Sequence, residues 1–226
     1  MNTRSISSAQ GHWGGFCLAI AALPLITGCG YSQGSLLYML GIGRARMVKT
    51  QFQLTRAPLL ILVDDPGQRV TWPAAERYIA DELAQELLRT KSAEKIVPQR
   101  TIDQLRQSQP NFDKVGCREL GKLAGAEQVL WLEIQDFFAD EQFVDASEVA
   151  HIIVTVKVVN VLEEKKRSRV RLWPTLRSGT PVTAHLTGSD VARLKTTDAV
   201  SRELALQLAA TIARFFHDYR PGDFER

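Results

Sequence analysis

The chain has 226 residues, of which 45% are hydrophobic and 23% charged. This is an ordinary globular composition, which excludes a wholly disordered, collagen-like or multi-span membrane protein. Its 28 Lys and Arg stand against 25 Asp and Glu, a net of +3, and that balance gives no reason to expect nucleic acid as a partner. The length allows one domain with an appendage.

The N-terminus reads as an address. Arg4 is the only formally charged side chain before Arg44, and an apolar run of 11 residues extends from Phe16 to Ile26. That run is too short for a membrane-spanning helix, which needs about 20 residues, and it fits the apolar core of a signal peptide. It ends in Ile26-Thr27-Gly28-Cys29, which resembles the lipobox of bacterial lipoproteins: an aliphatic residue, two small residues, then Cys. The resemblance implies that the Cys29 thiol receives a diacylglycerol, that the signal is cut just before it, and that the new amine is acylated. Acyl chains at about 0.8 kcal/mol per buried methylene then hold the protein on a bilayer essentially permanently. Residue 30 is Gly rather than Asp, which by the same resemblance favours the outer membrane, with the domain facing the periplasm.

Cysteine usage agrees. Cys17 leaves with the signal, Cys29 is lipidated, and Cys117 remains alone, so no internal disulfide is expected and the core must hold the domain. The organisation read from the sequence is a signal peptide over 1–28, the lipidated Cys and a tether over 29–56, one α/β domain over 57–220, and a tail over 221–226. The tether opens polar, turns apolar at Leu36–Leu40, and ends in the basic residues Arg44, Arg46 and Lys49. It reads as a segment near the lipid surface, as a first strand or helix packed on the domain, or as a plain linker. Gly41-Ile42-Gly43 is no dinucleotide fingerprint, because no strand precedes it and the third glycine is missing.

The domain then alternates strands and helices. Leu59–Val63 is a continuous apolar run ending in Asp64-Asp65-Pro66-Gly67, a buried strand followed by a turn. Ile79, Leu83 and Leu87 recur every four residues and predict a helix from about Pro73 to Thr90. Lys95–Pro98 is a short strand and Thr101–Gln107 a short helix. A further helix over Lys114–Ala124 has Asp113 as its expected cap and Gly125 at its exit. Gln128–Ile134 is a strand. Ala150–Leu162 is a longer one whose faces separate into Ile152, Val154, Val156, Val158 and a mixed set. Glu163–Ser168 is a charged hairpin turn, Val170–Trp173 the returning strand, and Pro174 halts it. Residues 175–196 read as loop, with a short strand at Val182–Leu186. Val200, Leu204, Leu208, Ile212 and Phe215 define a helix from Asp198 to about Tyr219, with Thr196 or Thr197 as its cap.

The fold class is therefore α/β (α+β): a mixed sheet of about four to six strands packed by three or four helices, with a long C-terminal helix. The order, and above all the run Leu120-Gly121-Lys122-Leu123-Ala124-Gly125-Ala126 rising into Gln128–Leu132, resembles the periplasmic α/β domains of CsgG-type secretion lipoproteins, LpoB-type synthase activators and the TolB N-terminal domain. The resemblance implies a binding role inside an envelope assembly. Two departures stand out: the long hairpins of a CsgG-type channel are missing, and the tether lacks the Pro-rich length of LpoB-type proteins.

Chemistry is sparse. His151, His185 and His217 fall in different predicted elements without ligand spacing, and HExxH, CxxC, Gly-x-Ser-x-Gly and phosphate-loop patterns do not occur. No metal, cofactor or catalytic residue is expected. Asp64 and Asp65, at the carboxyl end of a buried strand, are the best carboxylate pair, since open α/β sheets place ligands there; the same residues also form turns. Lys165, Lys166, Arg167, Arg169 and Arg171 make a basic hairpin that reads as a solvated turn or as a contact for anionic lipid, glycan or partner, with Trp173 beside it as core residue or interface anchor. The reading that follows is a lipid-anchored, non-catalytic envelope component that binds another protein. The alternatives are an envelope enzyme or solute-binding domain with a pocket near Asp64 and Asp65, and an outer-membrane assembly lipoprotein, because Cys29-Gly30-Tyr31 resembles the openings of such proteins.

Overall fold

The structure is a computed structural model that describes residues 46–139, 150–163 and 170–221. The chain divides into two compact units, Met1–Arg46 and Met47–Arg226; the first lies outside the described residues save for Arg46. The second carries strands β1 (Leu59–Asp64), β2 (Gln128–Ala139), β3 (Ala150–Asn160), β4 (Arg171–Trp173) and β5 (Thr180–Leu186). Its helices are α1 (Ala75–Arg89), α2 (Gln99–Ser108), α3 (Cys117–Leu123), α4 (Gly188–Leu194) and α5 (Thr197–Ala213). The expected α/β class, with a mixed sheet and a long C-terminal helix, is what the fold shows.

The sheet runs β1-β2-β3-β4, with β5 also on β3. β1 and β2 are parallel, in register from Leu59↔Gln128 to Asp64↔Glu133. β2 and β3 form a long antiparallel pair from Gln128↔Asn160 to Ala139↔Ala150. The far edge of β3 is shared: β5 pairs with Ala150–Val156 and β4 with Val158 and Val159. The end of the sheet at Leu59, Gln128 and Asn160 is its base, and the end at Ala139, Ala150 and Leu186 is its top.

Helices cover both faces unequally. Leu59, Ile61 and Val63 of β1, with Leu130, Leu132, Val154 and Val156, pack under α1 (Ile79, Leu83, Leu87) and α5 (Val200, Leu204, Leu208, Ile212). Each of these leucines, wholly removed from water, contributes roughly 1.5–3 kcal/mol. On the opposite face Leu60, Leu62, Val129, Val159 and Val161 pack against Ile102 of α2 and Leu120 of α3. A continuous apolar run in β1 follows from burial on both faces. The alternation in β3 follows from burial on one: Ile152, Val154, Val156 and Val158 are buried, while His151, Ile153, Thr155 and Lys157 are half-buried.

Several expected boundaries differ. β2 does not stop at Ile134 but continues to Ala139 past a bulge between Ile134 and Asp136. The bulge adds a residue, so Phe137 returns to the buried side although alternation would turn it outward. The Lys95–Pro98 strand reduces to the single parallel bridge Leu59↔Ile96. α3 starts at Cys117 with Gly116 at its N-cap, and residues 112–114 form a separate 3-10 turn, so Asp113 is not the cap. α1 begins at Ala75, leaving Pro73 in the turn before it. The short strand expected at Val182–Leu186 is β5, which begins two residues earlier at Thr180, and the rest of the expected loop contains α4, whose start Thr187 and Asp190 close as a reciprocal capping box. That signature, Thr-x-x-Asp, is the acidic cousin of the usual Ser/Thr-x-x-Glu. α5 ends at Ala213 rather than near Tyr219, and the His217 ring donates from Nδ1 to the Ala213 carbonyl at 2.8 Å, closing the helix end.

The α3 exit matches its expected glycine. Gly125 has φ +70°, the Ala126 N–H reaches the Gly121 carbonyl at 2.9 Å and the Gly125 N–H reaches that of Lys122 at 3.1 Å, the paired bonds of a Schellman motif. Gly121 is required for a different reason. A Cβ there would lie 2.7 Å from methyls of both Val129 and Val161. Gly121→Ala is expected to push α3 off the sheet and cost about 1–3 kcal/mol, read as a lower urea midpoint at unchanged slope; an unchanged midpoint would show that this contact has slack.

Candidate functional site

A crevice of about 670 Å³ opens at the carboxyl end of β1, between the β1–α1 turn, α2 and the start of α3. It is lined by Asp64, Asp65, Glu76, Arg106, Cys117 and Trp131, with Leu62, Val70, Trp72 and Phe112 supplying apolar wall. Its position follows from topology: β1 ends at Asp64 while β2 runs on, and the chain must cross the sheet end to start α1.

Each polar group has a structural reason for its place. Asp65 organises the turn: its Oδ2 accepts the Val70 N–H at 2.9 Å and its backbone carbonyl accepts the Gln68 N–H at 3.1 Å. Gln68 stands at φ +47°, a left-handed position. The other carboxylate oxygen, Oδ1, is buried without a hydrogen-bond partner. Arg106 of α2 donates to Glu76 of α1 at 2.8 Å and its guanidinium lies 5.0 Å from the centre of the Phe112 ring. Among the described residues, the cation in the crevice lining is thus tied to a wall carboxylate.

Asp64 points into a crowded acidic neighbourhood. Burial raises its pKa above the ordinary 3.8, and the nearby charge of Glu76, then those of Glu133 and Asp65, push the same way. The Trp131 indole N–H opposes the rise from close by, yet makes no hydrogen bond of normal geometry and is buried without a partner; its influence is best described as a dipole acting across a short gap. Lys157 anchors the back of that ring, its Nζ 4.5 Å from the ring centre and 3.2 Å from Glu133. Cys117 is half-buried, and burial pushes its thiol up, against the opposing pull of the Arg118 backbone N–H and of Lys157. A thiol held protonated is a poor nucleophile.

Among the described residues no group of three or more His, Cys, Asp and Glu is placed to hold a metal ion. The histidines divide. His217 closes α5. His151 and His185 face each other as a directly opposed pair on β3 and β5, and His151 Nε2 lies 3.0 Å from Asp136. The sequence separates these two histidines by a loop, and only strand register brings them together.

The remaining expected site residues fall elsewhere. Ile26, Thr27, Gly28 and Cys29 lie outside the described residues, as do Lys165, Lys166, Arg167 and Arg169. Arg171 pairs with Val159 and donates to the Leu176 carbonyl at 2.8 Å. Trp173 is half-buried in an aromatic group, 5.2 Å from Phe215, 5.8 Å from Phe216 and 6.5 Å from Phe52 between ring centres. Glu76, Arg106 and Trp131 are the crevice residues that sequence reasoning missed. They come from three separate elements, and only the amphipathic phase of α1 and α2 could have hinted at two of them.

Comparison with protein-family models and with curated protein sequences returns no match. Among solved structures the chain is similar to a PelC dodecamer from Paraburkholderia phytofirmans, at 15% identity and TM-score 0.39, covering 76% of this chain and 96% of that one. It is also similar to lipoprotein GNA1162 from Neisseria meningitidis, at 13% identity and TM-score 0.37, covering 59% and 83%. A third is the hypothetical protein CT253 from Chlamydia trachomatis, at 15% identity and TM-score 0.39, covering 72% and 98%.

The Asp64 environment sets a sign. A carboxyl whose folded pKa lies above its unfolded value binds protons more readily in the folded state, so its contribution to stability falls as pH rises through the window between the two values. Asp64→Asn is therefore expected to raise the unfolding free energy at neutral pH, with the gain shrinking as the pH falls through the window between the folded and unfolded values. Urea titrations at several pH values measure this, and a variant less stable than the parent at neutral pH would contradict it.

Proposed function

We propose that the protein is a lipid-anchored component of the bacterial envelope whose α/β domain acts by binding a partner protein rather than by catalysis. The observation that carries this reading is the Ile26-Thr27-Gly28-Cys29 lipobox at the end of an 11-residue apolar run. Among the described residues no helix is long and apolar enough to cross a membrane, so on this reading acylation of Cys29 is what holds the chain at the bilayer. The crevice fits the same reading. Burial pushes its thiol up, away from the nucleophilic thiolate, and its arginine is paired with Glu76. The resemblance to CsgG-, LpoB- and TolB-type domains, and the outer-membrane address suggested by Gly30, belong to this proposal. Mechanistically, anchoring confines the domain to a thin layer above one membrane face and raises its effective concentration near a partner in the same layer.

A second reading keeps the anchor but gives the domain a small-molecule ligand. The crevice itself favours it: the volume is within the range of ligand sites, and carboxylates sit beside aromatic wall. Saturation-transfer NMR against small polar solutes, with Trp131→Phe as control, separates the two readings.

The anchor is directly testable. In cells fed labelled palmitate, the parent chain is expected to take up label and fractionate with membranes. Cys29→Ser is expected to take up none, to remain at precursor mass and to leave the acylated membrane fraction. Unchanged labelling and fractionation of Cys29→Ser would overturn the proposal.

A further inference from the structure

The N-terminal segment joins the domain at one defined place. Val48 and Tyr219 exchange backbone hydrogen bonds of 2.8 and 3.0 Å, Lys49 reaches Asp218 at 2.8 Å, and the Gln51 and Phe52 N–H groups reach the Phe215 carbonyl at 2.8 and 3.1 Å. This clamp sits just past the end of α5. Trp173 of β4 packs on Phe215 and Phe216 there, and β4 lies beside Val158 and Val159 near the last residues of β3. The segment leading to Cys29 therefore leaves from the base of the sheet. Cys29 and Met47 are 18 residues apart, a span of at most roughly 60–65 Å.

The same end collects the exposed apolar side chains. Of the seven large hydrophobic residues that are exposed among those described, Met47, Leu88, Leu123 and Leu162 stand at the base, at 46%, 47%, 45% and 63% exposure. Met47 precedes the clamp, Leu88 ends α1, Leu123 ends α3, and Leu162 follows β3. A fifth, Leu176, folds back toward Arg171 of β4. Scattered exposed leucines are ordinary; their segregation to the end that carries the anchor segment is not. Glu86, Glu94 and Asp218 at the base are each paired with a cation, Arg89, Arg56 and Lys49. Exposed Lys91 and Lys95 add positive charge there, and exposed Glu127 adds negative charge.

We propose that the base of the domain is a membrane-apposed surface: Met47, Leu88, Leu123 and Leu162 dip into the interface of an anionic bilayer while Lys91 and Lys95 meet its headgroups. This rests on the anchor reading and adds an orientation to it. Apolar side chains interleaved with cations are what an interfacial surface requires, and each cation near an anionic bilayer strengthens binding. Asp64 lies five residues up β1 from Leu59, so the crevice stands about 17 Å above the base and faces away from the lipid, toward whatever the protein binds.

The test uses the lipidated chain in vesicles of phosphatidylethanolamine and phosphatidylglycerol that carry a headgroup nitroxide. A fluorophore is placed on Leu162→Cys at the base or on Gln68→Cys beside the crevice, each with Cys117→Ser. Quenching at position 162 is expected to exceed that at 68 several-fold, and the difference is expected to shrink when phosphatidylcholine replaces both lipids. Equal quenching, or stronger quenching at 68, overturns the orientation. A second arm is independent of acylation. The unlipidated chain that lacks residues 1–28 and carries Cys29→Ser is expected to sediment weakly with the same vesicles in a salt-dependent way, and Lys91→Gln and Lys95→Gln together are expected to weaken that binding roughly thirtyfold. No loss in the double variant overturns the proposed surface. Failure of the anchor itself appears separately, as an absent acyl mass on Cys29.

Discussion

The exchange of two backbone hydrogen bonds between Val48 and Tyr219 fixes where the N-terminal segment meets the domain, and much of the molecule's arrangement depends on that point. It is reinforced by the residues that follow. Immediately after Val48, Lys49 and the Thr50 N–H share the Asp218 carboxylate, which draws that carboxyl below its ordinary range, first through the Lys49 hydrogen bond. Downstream, Thr55 is held by Gln128, a buried side chain at the first residue of β2 whose amide both accepts from and donates to the threonine. Gln128 is polar and only 3% exposed, a position that would be costly without those partners. The stretch 48–55 is thereby secured to α5 at one end and to the sheet at the other, so a pull on the chain before Val48 is delivered to the base of the core.

The two ends of the domain differ in the charges they gather. α1 and α5 both run from the top to the base, and their last turns lie close enough for Glu86 of α1 to feel Arg214 and His217 beyond α5. The largest pull on that carboxyl comes from Arg89 one turn along its own helix. Cations near helix C-termini are favourable because the last carbonyls carry partial negative charge. Two helices ending side by side thus give a local reason for Arg89 and Arg214 to gather at the base. The crevice obeys the opposite logic: it lies where β1 and the turn after it deliver carboxylates.

How much of this was readable beforehand differs by scale. β1, β3, α1 and α5 are legible because each is long enough for its period to show: unbroken apolar residues from Leu59 to Val63, alternation from Ile152 to Val158, and steps of four from Val200 to Ile212. β2 beyond Ile134 was not legible, because a bulge breaks the alternation just where a reader would count on it. α4 was hidden by Gly188 and by a cap acid shorter than the expected Glu. At the site, Asp64 and Asp65 were visible as adjacent carboxylates at a strand end. What surrounds them was not, since Glu76, Arg106 and Trp131 converge only after α1, α2 and β2 are docked. Trp173 shows the same limit: its neighbours Phe52 and Phe215 are more than a hundred and about forty residues away along the chain, so sequence alone left it between core and interface.

The origin of the crevice lies in unequal helix cover. On one face α1, with 15 residues, and α5, with 17, bury the sheet from top to base. On the other, α2 has 10 residues and α3 has 7, and their contacts are with β1, the first residues of β2 and the last of β3. Past that border the same face carries Trp131, Glu133, Thr155 and Lys157, half-buried and polar. Lys157 serves both sides of the border, closing an ion pair with Glu133 and capping the Trp131 ring. Trp131 in turn forms the wall against which α3 and the β1–α1 turn stop. A longer α3 would cover this ring and fill the space; a 7-residue helix that begins only at Cys117 leaves it open. The cavity is therefore a consequence of where two short helices end, and its acidic lining follows from the strand that happens to finish there.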